Sequence, residues 1–358
     1  MANIFDYMDW RDISIKKVEF NEVDNLILAR LAYFPFDGIV DNSEISLEDA
    51  YKKYLSQGTV GRILQKEDID FFPKIAKSKR FGKIKLSNYI NNLDLLQEKQ
   101  FSAITLILPD NTIYISYRGT DDTIVGWKED FNMSFNPVVP AQIEAKNYLE
   151  KIANTYNNPI RIGGHSKGGN LAVYSAAFCS SNIQDRIINI YNNDGPGFHD
   201  SIINSPGYKN ILNKITTYMP QTSIIGRFLD HQENMVILKS TQTGIMQHDL
   251  YTWQVLGDKF VRDTLTNSSN FIDTTVTNWL KEVSPEQREK FIDAFFEIIS
   301  ATKAETLADM NSNKIESLKL IVNAYKNLDS QSKEILSQTL ITFFKNARLS
   351  LNNQNSNT

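Results

Sequence analysis

The chain holds one cysteine and four histidines among 358 residues, and its charge is almost balanced. With Cys179 alone, no intramolecular disulfide can form. No His or Lys beside it in sequence argues for a reactive thiolate, so it reads as a small buried hydrophobe. No stretch approaches the ~18 apolar residues that span a bilayer. The start, Met1-Ala-Asn-Ile-Phe-Asp-Tyr-Met-Asp-Trp10, carries aspartates and lacks the apolar core of a signal peptide. The expectation is a soluble cytoplasmic protein with no transmembrane segment. Thirty-eight Lys and Arg against 42 Asp and Glu leave a net charge of -4, which gives no electrostatic footprint for nucleic acid or for an anionic membrane. The one basic cluster, Lys74, Lys77, Lys79, Arg80, Lys83 and Lys85, reads as a solvated face. Neither G-x-x-x-x-G-K-[ST] nor G-x-G-x-x-G occurs, so the Gly-rich turn of the chain is not a phosphate cradle.

What is present is ordinary globular composition, 41% hydrophobic and 22% charged, in a length that accommodates two domains, or one large α/β domain with an appendage. Residues up to about Gln100 read as a mainly helical entry layer, with capping signals at Asn21 to Asp24 and at Ser46 to Asp49. Ile104 to Leu108 and Ile113 to Tyr117 read as strands of a hairpin joined by Pro109-Asp110-Asn111. Helix 141 to 156 follows, then a strand ending at Ile162, and further strands at Ile187 to Asn192, Ile215 to Met219 and Met235 to Lys239. Alternating helix and strand imply an α/β architecture, with a mostly parallel sheet covered on both faces whose strand carboxyl ends share one rim. From about Asn270 the pattern becomes helical throughout. Ser284-Pro285-Glu286-Gln287 opens a helix with Phe291, Phe295, Ile298 and Ile299 on one face. Lys314 to Leu328 presents Leu318, Ile321, Val322 and Tyr325, and Lys333 to Arg348 presents Ile335, Leu336, Leu340, Phe343 and Phe344. These stripes are expected to form the core of a small C-terminal bundle. The division expected is 1–269 α/β domain with the helical N-terminal layer, 270–349 helical appendage and 350–358 polar tail.

The run Ile160-Arg-Ile-Gly-Gly-His-Ser-Lys-Gly-Gly-Asn-Leu-Ala172 sets one serine between two glycines where a short apolar strand passes into a helix. Gly164-His165-Ser166-Lys167-Gly168 is the G-x-S-x-G pattern of a nucleophile elbow, which makes Ser166 the candidate nucleophile. A serine nucleophile needs a base, an acid that orients the base, and donors for the oxyanion. Of the four histidines, His165 is expected to point away from the reactive face, and His199 follows too closely on the Asp194 loop. His248, after the last expected strand, is the leading base and His231 the second. Asp194, in Asn192-Asn-Asp-Gly-Pro-Gly-Phe198, follows the strand after the elbow and is the leading acid, with Asp230 and Glu233 in reserve. The loop Pro220-Gln-Thr-Ser-Ile-Ile-Gly226 after the next strand has no carboxylate. A backbone N–H of Thr120, with its hydroxyl as a further donor, facing the N–H of Lys167 supplies an oxyanion hole. This chemistry requires no metal and no organic cofactor.

The segments Tyr117-Arg-Gly-Thr120, Gly126-Trp-Lys-Glu-Asp130 and Gly164-His-Ser-Lys-Gly-Gly169 together resemble the class 3 (triacylglycerol) lipase family. The Asn-Asp-Gly-Pro-Gly-Phe and Gln-His-Asp segments resemble a bacterial branch of lipase-like α/β-hydrolases. The resemblance covers roughly residues 1 to 260. It implies an α/β-hydrolase fold, Ser166 as nucleophile, Thr120 and Lys167 as oxyanion donors, and an ester or lipid substrate. Two positions depart from the lipase pattern: Lys167 stands where a hydrophobic residue is usual, and Thr222 and Ser223 stand where the acid is usual. The expected activity is hydrolysis of a lipid-like or acyl carboxylic ester. Thioesterase or peptidase action on the same scaffold is the alternative, as is a non-catalytic hydrolase-like protein that binds a partner through its C-terminal helices.

Overall fold

The computed structural model describes residues 1–58, 65–121, 123–265, 275, 278–304 and 314–355. Two compact units divide the chain. The first comprises Met1–Leu93, Phe101–Gly119 and Ala141–Leu265, and the second Asp94–Gln100, Thr120–Pro140 and Thr266–Thr358.

An eight-stranded sheet organises the first unit: β1 (Ile45–Ser46), β2 (Lys85–Asp94), β3 (Lys99–Ile107), β4 (Ile113–Tyr117), β5 (Ile160–His165), β6 (Ile187–Asn193), β7 (Ile215–Pro220) and β8 (Asn234–Leu238). The strands lie side by side in sequence order. β1 pairs antiparallel with β2 and β3 with β4, whereas β4 through β8 run parallel. This is the α/β fold with a mostly parallel sheet that the alternation implied. The hairpin turn is the expected one: Asp110 Oδ1 accepts from the Thr112 N–H at 3.1 Å, and Asn111 adopts φ +66°.

A parallel sheet in sequence order with right-handed crossovers sends every crossover to the same face. Helix α6 (Pro140–Thr155) therefore joins α7 (Lys167–Phe178) on one side of the sheet, where Ala145, Leu149, Ile152, Leu171 and Val173 pack with Ile113, Ile115 and Tyr117. The other side is left for the N-terminal helices α1 (Ile4–Trp10), α2 (Glu22–Leu31), α3 (Leu47–Ser56) and α4 (Asp68–Lys77), which pack with Ile104, Leu106 and Tyr114. Alternate residues of β3 and β4 thus feed different cores, as the period of two requires.

The N-terminal caps are where the sequence put them. Asn21 caps α2 in a reciprocal box with Asp24, and Ser46 caps α3 by accepting from the Asp49 N–H. The layer is less helical than expected, because β1 and β2 lie within it. The segment 85–94 contains four Asn or Asp and only three aliphatic residues, so its strand state comes from pairing in the sheet rather than from local preference. β3 likewise begins at Lys99, before its apolar run.

Arg80 departs from the solvated reading of its cluster. It is 1% exposed and its guanidinium grips the carboxylate of Asp24, itself fully buried, with Nε–Oδ1 at 2.6 Å. Further N–H groups of Arg80 donate to the carbonyls of Ile13, Val18 and Glu19, and Tyr7 Oη donates to Asp24 Oδ1 at 2.7 Å. One cation thereby fastens α1, α2 and the loop between them. A second buried charge cluster sits at the start of β8, where Glu233 accepts from Tyr208 Oη at 2.6 Å and from the Thr217 hydroxyl, with His231 Nδ1 at 2.7 Å.

In the second unit, α5 (Ile124–Asn132) packs with the helix Pro285–Ser300: Ile124, Ile292 and Phe296 share a cluster with Trp127 and Phe135. The segment 120–140 therefore belongs with the C-terminal helices rather than with the sheet. Ser284 is the N-cap and Pro285 the first helical residue, as expected, and Gln287 closes a capping box with Ser284. Of the face expected, Ile298 is buried and Phe291 and Ile299 pack against core clusters, whereas Phe295 is 40% exposed and Ile292 and Phe296 are inside. On the helix Lys314–Asn327, Ile321 packs inward, whereas Leu318, Val322 and Tyr325 are exposed. The expected boundary near Asn270 and the side chains of Phe343 and Phe344 lie outside the described residues. Among the described residues no helix is long and apolar enough to cross a membrane.

Arg80→Leu leaves the Asp24 carboxylate buried without its cation, and denaturant unfolding should show a loss of about 3–5 kcal/mol. Lys83→Leu, at an exposed position of the same cluster, should change stability by less than ~1 kcal/mol. A pH dependence follows from Glu233. Burial raises its pKa, but the bonds from His231, Thr217 and Tyr208 outweigh burial and hold it at about 2, below its ordinary 4.5. Its folded pKa lies below its unfolded one, so its stabilisation is full above pH 4.5 and fades as pH falls towards about 2. The stability gap between the wild type and Glu233→Gln, measured by unfolding at a series of pH values, should be constant above that window and shrink within it.

Candidate active site

Ser166 is the first residue beyond β5 and stands immediately before α7. Its backbone is at φ +60°, ψ -135°, a conformation that costs a residue with a Cβ and persists where surrounding structure enforces it. The enforcement is close packing. A Cβ on Gly168 would lie 2.2 Å from the carbonyl oxygen of Tyr117, and one on Gly164 would lie 2.3 Å from the carbonyl carbon of Gly168. With both side chains absent, the first turn of α7 settles against the ends of β4 and β5. The Ser166 N–H donates to Asn193 O and its carbonyl accepts from Gly169 N–H, each at 2.9 Å, which closes the turn. The side chain of Ser166 remains partly exposed, whereas its neighbours His165 and Lys167 are buried. The exit of β4 runs over the elbow, since a Cβ on Gly119 would meet His165 O at 2.5 Å and Ser166 Cβ at 2.9 Å.

Sheet register then decides where the acid arrives. His165 pairs with Asn193, so Ser166 and Asp194 are the next residues beyond two adjacent parallel strands and emerge together at the same rim. Asp194 is fully buried with φ +55°, a left-handed backbone that Asp tolerates better than most residues, and its N–H donates to Tyr218 O at 2.8 Å. Its carboxylate uses both oxygens: Oδ2 lies 2.7 Å from His248 Nδ1, and Oδ1 accepts from the Ser223 hydroxyl. An ionised carboxylate only accepts, so the proton of this bond sits on Nδ1 and leaves Nε2 of a neutral His248 as the basic nitrogen. The His248 side chain, 24% exposed, lies in the 3₁₀ turn Gly244–His248 that follows β8.

His165 takes part in the site, contrary to the sequence expectation that it points away. Its Nε2–H donates to the carbonyl oxygen of His248 at 2.8 Å, and the two imidazole rings are 4.6 Å apart. Burial, and after it the neighbouring His248, hold its pKa well below the usual histidine value, so the ring stays neutral. Tyr33 Oη completes the clamp by accepting from Gly119 N–H at 2.9 Å and donating to His165 O at 3.2 Å. No motif marks Tyr33. Its role emerges only when α2 is laid across the sheet.

The reserve candidates fall elsewhere. Glu233 and His231 bond to each other at the start of β8, the end of that strand opposite to His248, and Asp230 is exposed while its backbone pairs with Phe198. Lys167 opens α7, at the positive end of the helix. Thr120 belongs to the second unit, where its hydroxyl donates to Asp130. That commits the hydroxyl's only hydrogen, so the backbone N–H is the donor Thr120 has to offer. The acidic end of Gly126-Trp-Lys-Glu-Asp130 was the signal for this bond. Among the described residues no cluster of His, Cys, Asp and Glu could hold a metal ion.

Among solved structures, the chain is similar to the native Rhizomucor miehei lipase propeptide complex at 13% identity and a TM-score of 0.38, over 59% of this chain and 77% of that one. A deletion mutant of the same complex gives 15% and 0.36 over 49% and 68%, and M37 lipase gives 17% and 0.35 over 51% and 68%. No curated protein matches. The model of the Mbeg1-like family matches residues 75–297, a span that takes in Ser166, Asp194 and His248 and extends into the helix Pro285–Ser300. With more than half of its length inside that match, the chain belongs to the Mbeg1-like family, a lipase-like family.

Proposed function

We propose that the chain is a serine hydrolase that cleaves a carboxylic ester, a lipid-like or acyl ester above all, through an acyl-enzyme. The observation that carries the reading is the bond of Asp194 to His248 at the sheet rim where the Ser166 elbow emerges. In this mechanism His248 Nε2 takes the proton of the Ser166 hydroxyl as Oγ attacks the ester carbonyl carbon. The carbonyl oxygen becomes an oxyanion that the backbone N–H of Lys167 stabilises, with Thr120 as the second donor that the lipase resemblance implies. Collapse of the intermediate expels the alcohol, which takes the proton from His248 and leaves Ser166 acylated. Water, deprotonated by the same nitrogen, then releases the acid. Thioesters and amides are open to the same steps, and a substrate panel separates them. A second, non-enzymatic reading draws support from the exposed Leu318, Val322 and Tyr325, which suit a partner-binding face on the C-terminal helices.

Ser166→Ala should abolish both short-chain ester hydrolysis and labelling by a fluorophosphonate probe without altering thermal stability. His248→Ala should cost nearly as much, on the order of 10⁶ in kcat, and Asp194→Asn about 10⁴, because the acid alone is the least costly member to lose. Undiminished turnover by Ser166→Ala sinks the enzyme reading and leaves the partner-binding one.

A further inference from the structure

We propose that Ser223 is a positioning residue for Asp194, and that the two-residue turn Thr222–Ser223 fixes acid and base relative to each other; this rests on the hydrolase reading above. The turn lies just beyond β7, the strand next to the one that delivers Asp194, and is closed by Ser223 N–H to Pro220 O at 3.1 Å. Ser223 is 2% exposed. Its Oγ accepts from Gly226 N–H at 2.9 Å, and its own hydrogen goes to Asp194 Oδ1. The direction is fixed by chemistry, because an ionised Asp194 has no hydrogen to give. The carboxylate is thus held at both oxygens, Oδ1 by Ser223 and Oδ2 by His248, and cannot turn about its terminal torsion without losing one of them.

Thr222, the preceding residue, reaches the base from the same turn. Its N–H at 2.8 Å and its hydroxyl both donate to Gln247 Oε1, and Gln247, fully buried, is the residue before His248. Gln247 is anchored in turn, its Nε2 donating to Gln242 O at 2.6 Å and its carbonyl accepting from Trp253 Nε1 at 2.8 Å. The loop that departs from the lipase pattern by lacking a carboxylate therefore supplies the donor that holds one. Acid, hydroxyl and base stem from the ends of three neighbouring strands, β6, β7 and β8.

Removal of the Ser223 hydroxyl leaves Asp194 Oδ1 a buried acceptor without this donor. The carboxylate then draws more strongly on the imidazolium of His248, and the base gives up its proton at higher pH. In the full-length chain, hydrolysis of a p-nitrophenyl ester and fluorophosphonate labelling are measured across pH for the wild type, Ser166→Ala, Ser223→Ala and Ser223→Thr. The expected result for Ser223→Ala is a kcat lower by roughly tenfold to a hundredfold, an unchanged KM, and an acid limb of kcat/KM displaced to higher pH. Ser223→Thr, which restores a hydroxyl, should restore the limb. Should Ser223→Ala not fold, Ser223→Cys, of similar size and with a weaker donor, carries the same test. A folded variant with the wild-type kcat and pH limb overturns the role of Ser223 while wild-type labelling, lost in Ser166→Ala, leaves the hydrolase reading standing. Absence of labelling in the wild type overturns both.

Discussion

The site depends on how closely the first turn of α7 approaches the ends of β4 and β5. Gly164 and Gly168 allow the carbonyl of Tyr117 to lie where a Cβ would otherwise be, and that contact forces the serine between them into a left-handed backbone. The remaining geometry follows from it. Ser166 stands clear of the sheet because the chain has no room to continue as strand, and Lys167 starts a helix because the turn has already reversed direction. Asp194 emerges beside the serine because β6 is in register with β5. The strain at the elbow is borne by packing on either side rather than by any bond of the serine side chain.

Buried charge does a different task in the N-terminal layer. The pairs Arg80–Asp24 and Arg30–Asp68 lie almost wholly out of water. Such pairs gain little net stability over an apolar filling, because desolvation offsets most of their attraction, and their value lies in direction. Arg30 Nε donates to Asp68 Oδ1 at 2.8 Å, and Tyr251 Oη donates to the same oxygen at 2.6 Å. Tyr251 lies just past His248, so the helices that cover one face of the sheet are also fastened to the segment that bears His248. Tyr33, two residues beyond the end of α2, makes the corresponding contact with the elbow.

The sheet and its crossover helices were legible in the sequence, as was the turn that carries Ser166, because each is a local pattern. Apolar runs mark strands, glycines bracket the serine, and Asp194 and His248 come after β6 and β8. What escaped depends on partners distant in sequence. β2 is a polar segment that becomes a strand only beside its neighbours. Arg80 looks like one more surface cation until Asp24 and three carbonyls surround it. His165 seemed to point away because its acceptor is a main-chain oxygen 83 residues on. The helical stripes after Ser284 were read correctly as helices, but the choice of inner face lay in packing with α5, whose place in that unit has no local signature.

The strand order gives the site a history as well as a geometry. Strands adjacent in the sequence are adjacent in the sheet, so each pairing closes only a short stretch of chain, and synthesis from the N-terminus completes the rim in one direction. Ser166 is made first, then Asp194, then Ser223, whose hydroxyl donates to it, and His248 last. A growing chain that has formed β5 and β6 already holds Ser166 and Asp194 side by side, but the partners of Asp194 on and beyond β7, and His248, are still to come. On the hydrolase reading proposed above, reactivity at Ser166 is acquired only when the chain reaches His248, so a chain cut short before residue 248 is expected to be inert however well its elbow has formed.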